Sequence, residues 1–208
     1  MTVSTDQLED FRVLPVITPQ DVESTVALCA ALQRGGMKAV EITLRTPVAG
    51  DSILAVRQEL PDLVVGAGTV VDAGSLQRAV EAGCAFQVSP GLSPALLSAA
   101  REAGVALLPG VATASDVVLG MEYGYSCFKL FPAVAAGGIT LLKSLGGPFP
   151  DVRFCPTGGL EGNNFRDFLA LPNVVCCGGS WMLNQALIDA GRWDEIESGA
   201  RMVLARES

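Results

Sequence analysis

Short apolar runs recur along the chain, each closing on a polar or glycine-rich ending. Eight read as strands: "VLPVI" (13–17), "AVEITL" (39–44), "LVVGAG" (63–68), "AFQVS" (85–89), "VALLPG" (105–110), "CFKLF" (127–131), "VRFCP" (152–156) and "VVCCG" (174–178). Near-continuous apolar runs of this length suit strands buried on both faces. Between them lie amphipathic stretches such as "DVESTVALCAALQRG" and "AGSLQRAVEAG". The first opens on Asp21 and stops at Gly35, which are helix start and stop signals. Strands alternating with helices make parallel βαβ units. Eight at short spacing predict an α/β fold of the closed (β/α)8 TIM-barrel type, with an open doubly wound sheet as the alternative. No linker composition or charge block divides the chain. The expectation is one domain over 1–208, with a short helical leader before the first run.

The endings carry the chemistry. They read Glu41-Ile-Thr-Leu-Arg45, Gly66-Ala-Gly-Thr69, Ser89-Pro-Gly91, Pro109-Gly110, Lys129, Thr157-Gly-Gly159 and Gly178-Gly-Ser180. In a barrel the C-terminal strand ends share one face, where active sites are built. Side chains two apart on a strand point the same way. Glu41, Thr43 and Arg45 therefore share one parity, and Cys127, Lys129 and Phe131 share another.

Composition narrows the options. The net charge is −8, which disfavours a nucleic-acid partner. No stretch reads as a membrane span or a basic amphipathic helix. The polar, acidic N-terminus lacks the basic start and apolar core of a signal peptide, so a cytoplasmic protein is expected. The six cysteines show no metal-type spacing and read as buried free thiols. There is no histidine, which excludes Ser-His, Cys-His and His-ligated metal mechanisms.

Of three lysines, Lys38 precedes the second run and Lys143 closes the helical stretch "GGITLLK"; Lys129 alone lies inside a strand. Burial disfavours an ammonium, and a neutral amine can attack a carbonyl to form a Schiff base. A lysine paired to a carboxylate for structure alone is the other reading. Glu41 is equally a candidate general acid/base or half of a static salt bridge. Arg45 could grip a substrate carboxylate, or simply face water. "PTGG" and "CCGGS" end the last two runs, the usual place for a phosphate in a barrel, with Ser180 adding a hydroxyl donor.

"VEITLRT", "GAGTV", "VSPG", "LPGV", "FKLFPA", "RFCPTGG" and "GGSW" occur in this order over most of the chain. Together they resemble the 2-keto-3-deoxy-6-phosphogluconate aldolases, class I aldolases of Entner–Doudoroff metabolism. The resemblance implies a homotrimer of (β/α)8 barrels that needs no metal or other cofactor. It implies cleavage of a keto acid phosphate to pyruvate and glyceraldehyde 3-phosphate. By matching position it makes Lys129 the Schiff-base lysine and Glu41 the general acid/base. It gives Arg45 and Thr69 to the pyruvyl carboxylate, and Pro90 and Phe131 to the pocket around it. It gives Gly158, Gly159, Gly179 and Ser180 to the phosphate, with Thr157 bordering the substrate. Rival substrates on the same scaffold are the 6-phosphogalactonate analogue and 4-hydroxy-2-oxoglutarate. A non-catalytic sugar-phosphate binder and a metal-dependent epimerase are rivals of other classes.

Overall fold

The computed structural model describes residues 5–205; Met1–Ser4 of the leader lie outside the described residues. The chain opens with α1 (Thr5–Phe11). It continues through β1 (Val13–Ile17), α2 (Val22–Arg34), β2 (Ala39–Thr43), α3 (Ala49–Glu59), β3 (Val64–Gly68), α4 (Ala73–Glu81), β4 (Phe86–Val88) and α5 (Pro94–Glu102). The fifth apolar run forms two short strands, β5 (Leu107–Leu108) and β6 (Gly110–Val111). Then come α6 (Ala114–Glu122), β7 (Cys127–Leu130), α7 (Gly138–Gly146), β8 (Arg153–Pro156), α8 (Phe165–Leu169), β9 (Cys177–Gly179), α9 (Gln185–Asp189) and α10 (Trp193–Leu204). Several helices start where a side chain satisfies their first N–H groups. Asp21 accepts from Ser24 N at 2.7 Å, and Thr113 and Asp116 cap α6 reciprocally.

The strands pair in parallel, but they do not close into the eight-stranded barrel expected above. They form a six-stranded sheet, ordered β5-β4-β3-β2-β1-β9, and a three-stranded sheet, β6-β7-β8. The larger sheet curls as a half-barrel. One seam falls at Pro109, which has no N–H to give and splits the fifth run into β5, paired with β4, and β6, paired with β7. Its carbonyl instead accepts from Lys129 N at 2.9 Å. At the other seam β8 meets the β9 region only through isolated bridges, Phe154 to Val174 and Thr157 to Gly178. The α/β class stands, and so does the alternation of strand and helix.

Two apolar clusters follow from the strand alternation. The larger holds outward strand residues such as Val40, Ile42, Val65 and Leu130 with helix residues such as Leu32, Ile53 and Leu142. The smaller includes Leu14, Ala39, Phe86 and Cys127, with Leu8 and Phe11 from α1. Phe11 and Phe86 stand with ring centroids 6.1 Å apart. Helix α1 thus plugs the interior at the N-terminal strand ends. Two residues further along the same faces as Ala39 and Cys127 come Glu41 and Lys129, one step above this apolar floor.

Candidate active site

Glu41 sits in the middle of β2 and Lys129 near the end of β7, on different sheets. The sheets face each other, so Lys129 Nζ lies 3.2 Å from Glu41 Oε1 and 3.5 Å from Oε2. Their side chains are only 5% and 1% exposed. Burying either charge alone would cost several kcal/mol, so each is the other's condition for being there. The glycine at Gly68 makes room, since a Cβ there would overlap the Glu41 carboxylate. The Phe131 ring covers the amine from 5.3 Å.

The remaining expected residues extend from this pair. Arg45 lies beyond the end of β2, exposed, and its Nε donates to Thr69 Oγ1 at 2.8 Å. Thr69 follows Gly68 directly and is held at φ 61°, a conformation rarely taken by a β-branched residue and a mark of local strain. Pro90 follows β4, with its backbone pressed against Gly110. Thr157 is buried and bridges to Gly178. Gly158 and Gly159 have φ of 97° and 80°, and a Cβ at Gly158 would stand 3.2 Å from the Phe131 ring. Gly179 packs under the Trp181 ring, and Ser180 is exposed. Lys129, Glu41, Phe131 and Gly158 thus form one contiguous set. Arg45 and Thr69 form a second, joined to it through Gly68. Ser180 and Gly159 belong to the rim and not to the buried pair.

Residues 5–198 match the family described as KDPG and KHG aldolase. A 2-dehydro-3-deoxy-phosphogluconate aldolase of Pseudomonas aeruginosa is 48% identical over 197 residues, covering 95% of this chain and 90% of the relative. A KHG/KDPG aldolase of Escherichia coli K12 is 47% identical, covering 91% of this chain and 89% of the relative. The chain belongs to the KDPG and KHG aldolase family. In structure it is similar to a KDPG aldolase of Legionella pneumophila, solved with pyruvate captured as a covalent carbinolamine intermediate. The TM-score is 0.94 at 40% identity, covering 98% of this chain and 99% of that one. This aldolase-family chain also shares its fold with a KDPGal structure at 23% identity.

Other nucleophilic side chains of this aldolase-family chain include buried thiols and two surface lysines. Burial pushes the thiols of Cys29 and Cys127 up to about 12, so they stay protonated at neutral pH. Lys38 pairs at 3.9 Å with Asp10 on the surface, and Lys143 is exposed on α7. Sequence reasoning passed over two features. One is the seat that Gly68 provides, signalled only by glycine at both inward positions of β3. The other is a hydroxyl pair, Thr43 Oγ1 to Thr18 Oγ1 at 3.1 Å, beside Glu41 on the same strand face; nothing in the sequence links residues 25 apart in this way.

Proposed function

We propose that the chain is a class I aldolase that cleaves 2-keto-3-deoxy-6-phosphogluconate to pyruvate and glyceraldehyde 3-phosphate through a Schiff base on Lys129. The observation that carries this is the buried 3.2 Å contact between Lys129 and Glu41, in a chain of this family. The contact lets the ammonium pass a proton to Glu41, which frees the amine to add to the substrate's C2 carbonyl. The carbinolamine then loses water to give a protonated imine. Glu41, ionised again, takes the proton of the C4 hydroxyl directly or through a water. The C3–C4 bond breaks, its electron pair moves towards the imine nitrogen, and aldehyde and enamine result. Glu41 returns a proton to C3. Water hydrolyses the imine, releasing pyruvate and the lysine. One carboxylate suffices for these proton transfers, so the chemistry needs no histidine.

Arg45 and Thr69 hold the pyruvyl carboxylate in this reading. Nε of Arg45 is already engaged by Thr69, and its terminal nitrogens carry the remaining donors. Pro90 and Phe131 wall the methyl side. Gly158, Gly159, Gly179 and Ser180 receive the phosphate, where positive-φ glycines let backbone N–H groups approach the oxygens, and Thr157 borders the chain between. Such neutral donors accept a carboxylate as well as a phosphate. Cleavage of 4-hydroxy-2-oxoglutarate is therefore a second reading, favoured by the E. coli relative named for both. A homotrimer in the cytoplasm completes the proposal; light scattering should give three times the chain mass. Among the described residues no helix is long and apolar enough to cross a membrane.

Borohydride added with pyruvate should fix a three-carbon adduct on Lys129, located by peptide mass spectrometry. An adduct on Lys38 or Lys143, or none, removes the assignment.

A further inference from the structure

We propose that Gly68 is a positioning residue for the aldol reaction, its missing side chain being the seat in which the Glu41 carboxylate rests. This rests on the reading of Glu41 as the proton shuttle. The inward positions of β3 are Gly66 and Gly68; Val65 and Ala67 point into the outer core. Each glycine leaves a slot. That of Gly66 is filled by the Phe86 ring, and that of Gly68 by Glu41. A Cβ at Gly68 would overlap Oε1 and come within 2.7 Å of Glu41 Cγ and 2.8 Å of Cδ.

The backbone does not demand glycine here, because Gly68 is not among the positive-φ residues. Space is the reason. In the ladder Glu41 stands opposite Gly66, and Thr43 opposite Gly68. The Glu41 side chain therefore leans along its strand, over Gly68, towards the sheet that carries Lys129. The strand cannot retreat to admit a methyl group: Gly68 O accepts from Leu44 N at 2.9 Å, and β3 is paired on both sides. A methyl at position 68 must displace the carboxylate instead. A misplacement of about 1 Å costs on the order of 10²-fold in rate.

The test compares two reactions of pyruvate: borohydride trapping at Lys129, and exchange of its methyl protons in deuterated water. Gly68→Ala should keep trapping within a few-fold and lose about 10²-fold in exchange, because water can stand in for Glu41 in the proton transfers of imine formation, whereas exchange needs the carboxylate over the methyl carbon. Gly66→Ala, crowding Phe86 instead, should leave the ratio of exchange to trapping as in the wild type. Glu41→Asp should cost less exchange in the Gly68→Ala background than alone, since the shorter side chain clears the new methyl. An unchanged ratio in Gly68→Ala, equal shifts in both alanine variants, or additive losses in the double variant overturn the proposal. If Gly68→Ala fails to fold, Glu41→Asp must restore folding, and failure of the double variant also overturns it. The underlying reading fails separately, through absent trapping in the wild type or undiminished exchange in Glu41→Gln.

Discussion

Replacing one member of the buried pair should harm the fold more than replacing both. At 3.2 Å, an attraction between unit charges of roughly 5 kcal/mol follows for an effective dielectric of about 20. Against it stands a desolvation cost of several kcal/mol for each ion. The two nearly cancel, so the intact pair adds little net stability, yet losing one partner leaves a charge buried without compensation. Glu41→Gln keeps the shape and strands the ammonium. Lys129→Met keeps the volume and strands the carboxylate. Each should lose about 3–5 kcal/mol, while the double variant should lie within about 2 kcal/mol of the parent or above it. Urea titrations followed by far-ultraviolet circular dichroism on all four proteins give the coupling energy. A coupling below about 0.5 kcal/mol would refute the reasoning, because the two groups would then not be facing each other as charges in a dry interior.

Other expectations are more local. Ser180→Asp should cut efficiency on the phosphorylated substrate by far more than on a non-phosphorylated keto acid; equal losses would mean the Ser180 end does not read phosphate. Leu8→Ala, at a fully buried position of α1, should lower stability by about 2–5 kcal/mol, read as a shifted urea midpoint, with pyruvate still trapped at Lys129. The thiols of Cys29 and Cys127 are raised from 9.0 to about 12 by burial. The unfolded chain therefore gives up those protons first as pH rises, and stability should fall between about pH 9 and 12 while being unaffected by these groups below 9. A Cys29→Val variant should show a shallower fall over that window.

All eight apolar runs contain strand, because hydrophobic periodicity is a local property. Closure of the ladder is not local. It depends on which N–H groups meet which carbonyls across the molecule, and Pro109 decides this for the fifth run. That proline stood in plain view, but its effect required knowing that the run was central in a sheet. The contact of Lys129 with Glu41 spans 88 residues, and parity alone could say only that each points inward. The contact of Arg45 with Thr69 was even less accessible. It depends on a threonine held at φ 61°, for which no sequence signal exists. The family resemblance gave these residues roles, not the contacts between them.

The seams between the sheets bear on how the chemistry is kept in register. Glu41 belongs to the six-stranded sheet and Lys129 to the three-stranded one, so no continuous ladder sets the distance between them. What spans the gap at one side is a proline, Ser89 Oγ accepting from Gly110 N at 3.2 Å, and the press of Gly110 on Pro90; at the other side two single bridges do so. The gap between amine and carboxylate is set at these seams, among them by Lys129 N donating to Pro109 O at 2.9 Å, and not by the ladder bonds within either sheet. Tolerance in this enzyme is a property of its joints.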